Sequence, residues 1–140
     1  MKLILKIAEK TEIKKVQDFF EKFLDENNTW ITNWEFLCPF WIEWAIKRWQ
    51  VMILKDKENI VWALRFYPRK RDNIVSIYQF ALAEIFRWKW LIEKMLRKTW
   101  YKNFEVACFI NSEFSDYYKK TWWVEFSKDE KIIYFRKEIN

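Results

Sequence analysis

The chain of 140 residues contains no glycine. Glycine enters left-handed backbone without a steric penalty, so helices commonly end on it and turns form around it. An average composition would supply about 7% glycine, roughly ten residues at this length. In its place stands an excess of tryptophan, 11 residues of a type that is ordinarily among the rarest. A fold written this way must avoid left-handed positions or force bulky residues into them. The positions of the tryptophans therefore carry information.

Hydrophobic periodicity supplies a map on which to place them. Residues 2–7, KLILKI, alternate as a strand. Thr11 is the expected cap of a helix carrying Ile13, Val16, Phe19, Phe20, Phe23 and Leu24 at helical spacing. Residues 24–41 are polar, include Pro39, and read as a loop or broken helical segment, followed by a short helix over 42–48. Three antiparallel strands are expected at about 50–55, 60–67 and 74–83, with turns at 56–59 and 68–73. Leu91, Ile92, Met95 and Leu96 place an apolar stripe on a helix over about 89–99. A strand at 104–109, a helix at 112–120 and a hairpin of 124–126 with 132–136 complete the chain. The order β-α-α-β-β-β-α-β-α-β-β describes one α+β domain with no repeat and no linker.

On this map Trp49 lies between a helix and a strand, and Trp100 and Trp122 fall where helices stop, the usual place of a left-handed glycine. Trp88 and Trp90 occupy a strand-to-helix loop, and Trp30, Trp34 and Trp41 the polar segment. At least six of the 11 stand where backbone geometry favours glycine. The chain reads as a glycine-containing protein written with tryptophan. UGA is a stop codon in the standard code, but encodes tryptophan in some bacteria and glycine in others. Richness in Lys, Ile, Asn and Phe points to A/T-rich codons, hence to a low-GC genome in which UGA could displace other glycine codons. The competing reading keeps every indole and takes the chain as glycine-free by origin or design.

With Trp90 standing for glycine, LAEIFRWKWLIEKML (residues 82–96) resembles the acyl-CoA-binding motif of the GNAT N-acetyltransferase superfamily. The family pattern is V-x-P-x-x-R/Q-x-x-G-x-G/A followed by a helix. Leu82 falls on the valine, Glu84 on the proline, Arg87 on Arg/Gln and Trp90 on the essential glycine, with Trp88 on the extra glycine of RGKG. Ile92 departs from the second small position. Downstream, NSEFSDYYKKTWW is similar to the family's N-x-x-A-x-x-x-Y-x-K-x-G-F: Asn111, Tyr118 and Lys120 match, Trp122 takes the glycine and Trp123 the aromatic, while Phe114 replaces alanine. Trp123 is thus the tryptophan expected to be genuine.

The resemblance implies a three-layer α/β/α-like fold: a mixed, mostly antiparallel sheet with a splayed parallel strand pair and about four helices. It implies acetyl-CoA as co-substrate, direct acyl transfer to a primary amine, and no covalent enzyme intermediate. Arg87, Trp88, Lys89, Trp90, Leu91 and Ile92 would form the loop whose amides cradle the pyrophosphate. Backbone groups around Phe80 and Leu82 would bind the pantetheine arm, the amide near Leu82 polarising the thioester carbonyl. Asn111 and Tyr118 would complete the coenzyme site, and the Tyr118 phenol would protonate the departing thiolate. Tyr117 is adjacent and cannot share its helix face; Tyr118 is selected by motif register alone. Glu84 is a candidate base, with Gln79 close by in sequence and a water chain as the alternative. The basic turn Arg69-Lys70-Arg71 reads as a solvated hairpin tip.

Composition bounds the remaining classes. At 51% apolar the chain is not disordered, and no apolar run reaches the roughly 20 residues of a membrane span. MKLILKIAEK is too short and too charged for a signal peptide, so a cytoplasmic location and no membrane partner are expected. Cys38 and Cys108 are far apart and read as reduced thiols, Cys38 in a loop and Cys108 in a strand. Without histidine no zinc site and no Ser-His or Cys-His nucleophile is expected. The net charge of +6 suits an anionic partner, a phosphorylated small molecule or nucleic acid. A reading from another class takes the indoles literally, as stacking strips for single-stranded nucleic acid at RWKW and KRW. A third is a catalytically silent GNAT-like binding module. Monomer and homodimer are both compatible with the sequence. The intact mass of the native protein is expected to fall below the written mass by a whole number of tryptophan-to-glycine differences. The full written mass, or UGG codons at positions 88, 90, 100 and 122, would rule recoding out.

Overall fold

The computed structural model describes residues 3–23, 39–83 and 90–139. Strand β1 (Leu3–Ile7) leads through a 3₁₀ turn (Lys10–Glu12) into α1 (Ile13–Phe23). Helix α2 (Pro39–Lys47) precedes a meander of β2 (Val51–Asp56), β3 (Asn59–Pro68) and β4 (Ile74–Leu82). Then come α3 (Trp90–Leu96), β5 (Asn103–Phe109), α4 (Glu113–Lys120), β6 (Val124–Lys128) and β7 (Ile132–Glu138). Among the described residues the order is the one the periodicity predicts.

The strands form one seven-stranded sheet, β1-β2-β3-β4-β5-β7-β6, in which β4 and β5 are the parallel pair and the other neighbours are antiparallel. Successive side chains leave opposite faces of a strand, so the sheet divides its apolar residues between two cores. On one face Leu64, Phe66, Ile77, Phe80, Phe104 and Phe135 pack with Ile92, Met95 and Leu96 of α3 and Phe114 and Tyr118 of α4. On the other, Val16 and Phe20 of α1 and Ile42 and Ile46 of α2 cover Ile53, Ala63 and Ala81. Each large apolar side chain so buried contributes about 1.5–3 kcal/mol. Among the described residues the result is a three-layer α/β/α arrangement with four helices.

Several boundaries differ from expectation for local reasons. Thr11 is not a cap; it lies within the 3₁₀ turn, where the Glu9 N–H donates to Glu12 Oε1 (3.0 Å). The buried Glu12 carboxylate also meets Lys6 Nζ at 2.9 Å and Lys55 Nζ at 3.4 Å, tying β1, β2 and the start of α1 together. Burial pushes its pKa up, but the Lys6 hydrogen bond and the Glu9 amide outweigh this and hold it below the usual value. Helix α2 begins at Pro39, a residue suited to the first helical position, so Trp41 belongs to a helix rather than to a loop. Residues 24–38, with Trp30, Trp34 and Cys38, lie outside the described residues.

Helix α3 ends at Leu96, three residues before the predicted limit. Beyond it the N–H groups of Lys98 and Thr99 reach back only three residues, to the carbonyls of Met95 and Leu96, and Thr99 Oγ1 donates to the Leu96 carbonyl at 2.7 Å. The tightened turn stops the helix early. Trp100 therefore does not occupy a left-handed helix end; it is exposed, beside the Tyr101 ring.

The other two helix-end tryptophans do. Among the described residues positive φ occurs at Trp49 (63°), Lys57 (57°), Asn73 (59°) and Trp122 (73°). After α2, Trp49 N–H donates to the Ile46 carbonyl (3.0 Å) and Gln50 N–H to the Ala45 carbonyl (2.9 Å). After α4, Trp123 N–H donates to the Tyr118 carbonyl (3.0 Å). These are the bonds of a Schellman close, whose left-handed residue is usually glycine. The indoles gain little in return, being 65% exposed at Trp49 and 84% at Trp122. Trp123 is the opposite case, buried against the Tyr118 ring at 5.2 Å. In urea unfolding, W49G and W122G are each expected to raise stability by about 1 kcal/mol, from relief of the left-handed penalty. W123A should lower it by about 3–5 kcal/mol. Destabilisation by both glycine variants would contradict this account of the helix ends.

Candidate functional site

The site begins with a break in pairing. β4 and β5 run together only from Ile74↔Asn103 to Ile77↔Val106. On its other edge β4 pairs with β3 through Ile77↔Phe66 and then Gln79↔Arg65, leaving Tyr78 as the extra residue of a β-bulge. A bulge bends its strand and raises the local twist. Beyond it β4 follows β3, through Phe80↔Leu64 and Leu82↔Trp62, while β5 follows β7, through Ala107↔Tyr134 and Cys108↔Ile133. The two parallel strands part after Ile77 and Val106, which is the predicted splay.

The hydrogen-bond phase of β4 decides what faces the gap. The Ala83 N–H donates to the Val61 carbonyl (3.0 Å). Antiparallel ladders alternate between bonded and non-bonded pairs. Ala81 and Gln79 therefore share the bonded phase toward β3, and the N–H and C=O groups of Phe80 and Leu82 turn toward the gap, where β5 no longer pairs. Their side chains are buried toward α3 and α4, with the Phe80 ring edge-on to Phe114 at 5.2 Å.

Tyr118 lies on the same side of the sheet. It is 1% exposed and packs on Trp123 (5.2 Å), Phe135 (5.5 Å) and Phe114 (6.5 Å). Burial, with Cys108 and Tyr117 nearby, drives its phenol well above the ordinary tyrosine value, so it keeps its proton at neutral pH. Cys108, on the part of β5 beyond the splay, is in a strand as predicted, and burial pushes its thiol up to about 11. Tyr117 is half-buried and, through burial and the Glu93 carboxylate, is pushed up to about 12.

The remaining predicted residues are only partly brought together. Ile92 is buried in the core, and Trp90 and Leu91 open α3. Asn111 is exposed just before Ser112, whose Oγ accepts the Ser115 N–H (3.3 Å) and caps α4. Glu84, Arg87, Trp88 and Lys89 lie outside the described residues. Among the described residues no three His, Cys, Asp or Glu side chains are grouped to hold a metal ion, and no helix is long and apolar enough to cross a membrane.

Sequence reasoning missed the opposite face of the splay. There a groove of about 170 Å³ is lined by Tyr67, Arg69, Ser76, Tyr78, Glu105 and Tyr134, with Ile77, Val106 and Ala107 also on its wall. Arg69 is not a solvated hairpin residue: its Nη2 meets Asp72 at 3.2 Å and Glu105 at 3.3 Å, and Glu105 also receives Arg136 Nε at 2.7 Å. Strand alternation could have placed Tyr67, Ser76, Tyr78 and Glu105 on one face; the register bringing them together is non-local.

No protein-family model and no curated protein sequence matches the chain. Solved structures do. A GNAT-family acetyltransferase from Listeria monocytogenes superposes with a TM-score of 0.74 at 12% identity, over 97% of this chain and 94% of that one. PaiA N-acetyltransferase from Thermoplasma acidophilum, in complex with coenzyme A, gives 0.67 at 8% identity, over 99% of each chain. Diaminobutyrate acetyltransferase EctA from Paenibacillus lautus, with its substrate and coenzyme A, gives 0.66 at 13% identity, over 99% of this chain and 95% of that one. The chain has the GNAT fold.

The buried thiol and phenols predict a pH dependence. Their folded-state pKa values lie above the ordinary values of 9.0 for Cys108 and 10.0 for the tyrosines. Stability from these groups is complete below the unfolded values and is lost as pH rises through them toward the folded ones. Urea midpoints should therefore fall between about pH 9 and 11, and Y118F should flatten the fall above pH 10. An unchanged slope in Y118F would contradict the buried protonated phenol.

Proposed function

We propose that this protein is an acyl-CoA-dependent N-acyltransferase that moves an acetyl group from acetyl-CoA directly to a primary amine. The observation that carries the reading is the gap between β4 and β5, into which the peptide groups of Phe80 and Leu82 point without a strand partner. Buried peptide groups require partners, and a pantetheine arm, with its own amides, supplies them in the manner of an added strand. Acetyl-CoA brings an activated acyl group. The amide near Leu82 polarises its carbonyl, and the amine nitrogen forms the new bond to carbon as the carbon–sulfur bond breaks. Tyr118 gives its proton to the departing thiolate, and the proton of the amine leaves to water or to Glu84. Arg87, Trp88, Lys89, Trp90, Leu91 and Ile92 form the phosphate loop in this reading, with Asn111 beside the coenzyme.

The functional protein in this proposal carries glycine at positions 49, 88, 90 and 122. Support comes from the two left-handed helix ends at Trp49 and Trp122 and from the loop register at 88 and 90. Exposed indoles at Trp41, Trp44, Trp49, Trp100 and Trp122 sit on a helix, at helix ends and in a turn, not along one strand face, which favours this reading over a nucleic-acid stacking strip. In calorimetry the W49G/W88G/W90G/W122G chain should bind acetyl-CoA, and the chain bearing all four indoles should bind at least tenfold more weakly, by about 1.4 kcal/mol. Y118F should lower kcat about 100-fold with the acetyl-CoA affinity unchanged. Equal binding by both chains would refute the loop assignment, and an unaffected kcat would refute the role of Tyr118.

A further inference from the structure

Resting on the acyltransferase reading, we infer that Lys137 is a positioning residue: it holds the start of α3, with the phosphate loop, and the end of α4, with the Tyr118 phenol, at a fixed separation. The sequence of β7 is the first observation. Ile133, Phe135 and Lys137 leave the same face of the strand, and Lys137 stands opposite the buried Phe104 of β5. Ile133 and Phe135 are buried in the core, so alternation calls for a third apolar residue at 137. The lysine side chain found there is only 15% exposed. It carries a desolvation cost that an apolar side chain would not.

What the ammonium reaches is the second observation. Lys137 Nζ donates to Glu93 Oε1 at 2.8 Å and also to the Thr121 carbonyl. Glu93 lies in the first turn of α3, directly after Ile92, and Arg97 Nη2 donates to the same carboxylate oxygen at 3.1 Å. Thr121 is the C-cap of α4, three residues after Tyr118, and a cation suits the carbonyl end of a helix. One ammonium on β7 therefore joins the beginning of α3 to the end of α4. Glu93 reaches α4 a second way, since its charge helps raise the Tyr117 phenol.

The third argument is directional. Met95 and Leu96 of α3 and Phe114 and Tyr118 of α4 share one apolar core, but burial has no preferred direction. Hydrogen bonds weaken steeply when bent, so the Lys137 bridge fixes the setting that packing alone leaves loose. Acetyl-CoA needs both helices at once, its pyrophosphate at the loop opening α3 and its sulfur at Tyr118, joined by a pantetheine arm of limited reach. The phenol gives its proton to the sulfur only within hydrogen-bond distance. Without the bridge the loop amides still bind the coenzyme, while the end of α4 shifts and the proton transfer slows.

The test uses the W49G/W88G/W90G/W122G chain, with calorimetry for acetyl-CoA binding and release of coenzyme A thiol for turnover. Free amino acids, spermidine and a short peptide with a free N-terminus are offered as amines, the fastest serving as the probe. K137M should lower kcat about tenfold, with the acetyl-CoA affinity within about twofold. In a Y118F background K137M should lower kcat by less than about twofold, because the group that it positions is gone. E93Q, which breaks the ion pair from the other end, should lower kcat about threefold and likewise lose its effect in Y118F; it carries the test if K137M does not fold. A K137M loss as large without the Tyr118 hydroxyl as with it marks a merely structural role and overturns the inference. An unchanged kcat, or an acetyl-CoA affinity that falls in step with kcat, overturns it as well. Absence of acetyl-CoA binding, or of thiol release with every amine, in the chain before these substitutions overturns the acyltransferase reading beneath it.

Discussion

The rest of the site depends on one extra residue in β4. Tyr78 bulges out of the β3–β4 ladder, and from that point β4 bends with β3 while β5 is held by seven register pairs to β7. Neither strand can follow the other. The gap is thus not a defect in packing but the consequence of two well-paired neighbours pulling a parallel pair apart. Because the bulge falls between residues in the bonded and non-bonded phases, it also decides that Phe80 and Leu82, rather than Gln79 and Ala81, present peptide groups to the gap. The same phase sends the Gln79 side chain to the opposite face of the sheet.

The helix ends supply a second constraint, independent of the first. Two left-handed residues are needed to close α2 and α4 into the strands that follow, and both are written as tryptophan. An exposed indole contributes little burial there, whereas its Cβ carries the full left-handed penalty. Lys57 and Asn73, the other residues at positive φ, sit in hairpin turns, and Asn at least tolerates that region. The buried indoles behave differently. Trp62 and Trp123 fill core volume, yet both leave a buried N–H without a partner among the described residues, a cost that glycine or phenylalanine would not incur.

The element order was legible because each segment has clear local periodicity: Val16, Phe19 and Phe20 at helical spacing, and the alternating runs of β2 to β4. Motif register selects Tyr118 over Tyr117, and the structure buries its ring beside Trp123 on a helix whose inner face carries Phe114 and Tyr118. What was not legible is non-local. The bulge at Tyr78 has no local signature, since no glycine marks it. Thr11 resembled a cap by residue type and position; the 3₁₀ turn that contains it is instead held through Glu12, which accepts the Glu9 N–H and is paired with Lys6 of β1 and Lys55 of β2. Trp100 resembled a helix end because it falls between the apolar stripe of α3 and the strand β5; the Thr99 hydroxyl stopped the helix earlier. Arg69 resembled a solvated charge until Glu105, 36 residues away, was brought beside it.

Hydrogen exchange measured by mass spectrometry on the native protein, with and without saturating acetyl-CoA, examines the gap itself. The account predicts slowed exchange across residues 78–83, where the Phe80 and Leu82 amides acquire partners, and across the loop at 87–92, with β1 and β2 unchanged. Identical exchange in both segments, with and without acetyl-CoA, would contradict it.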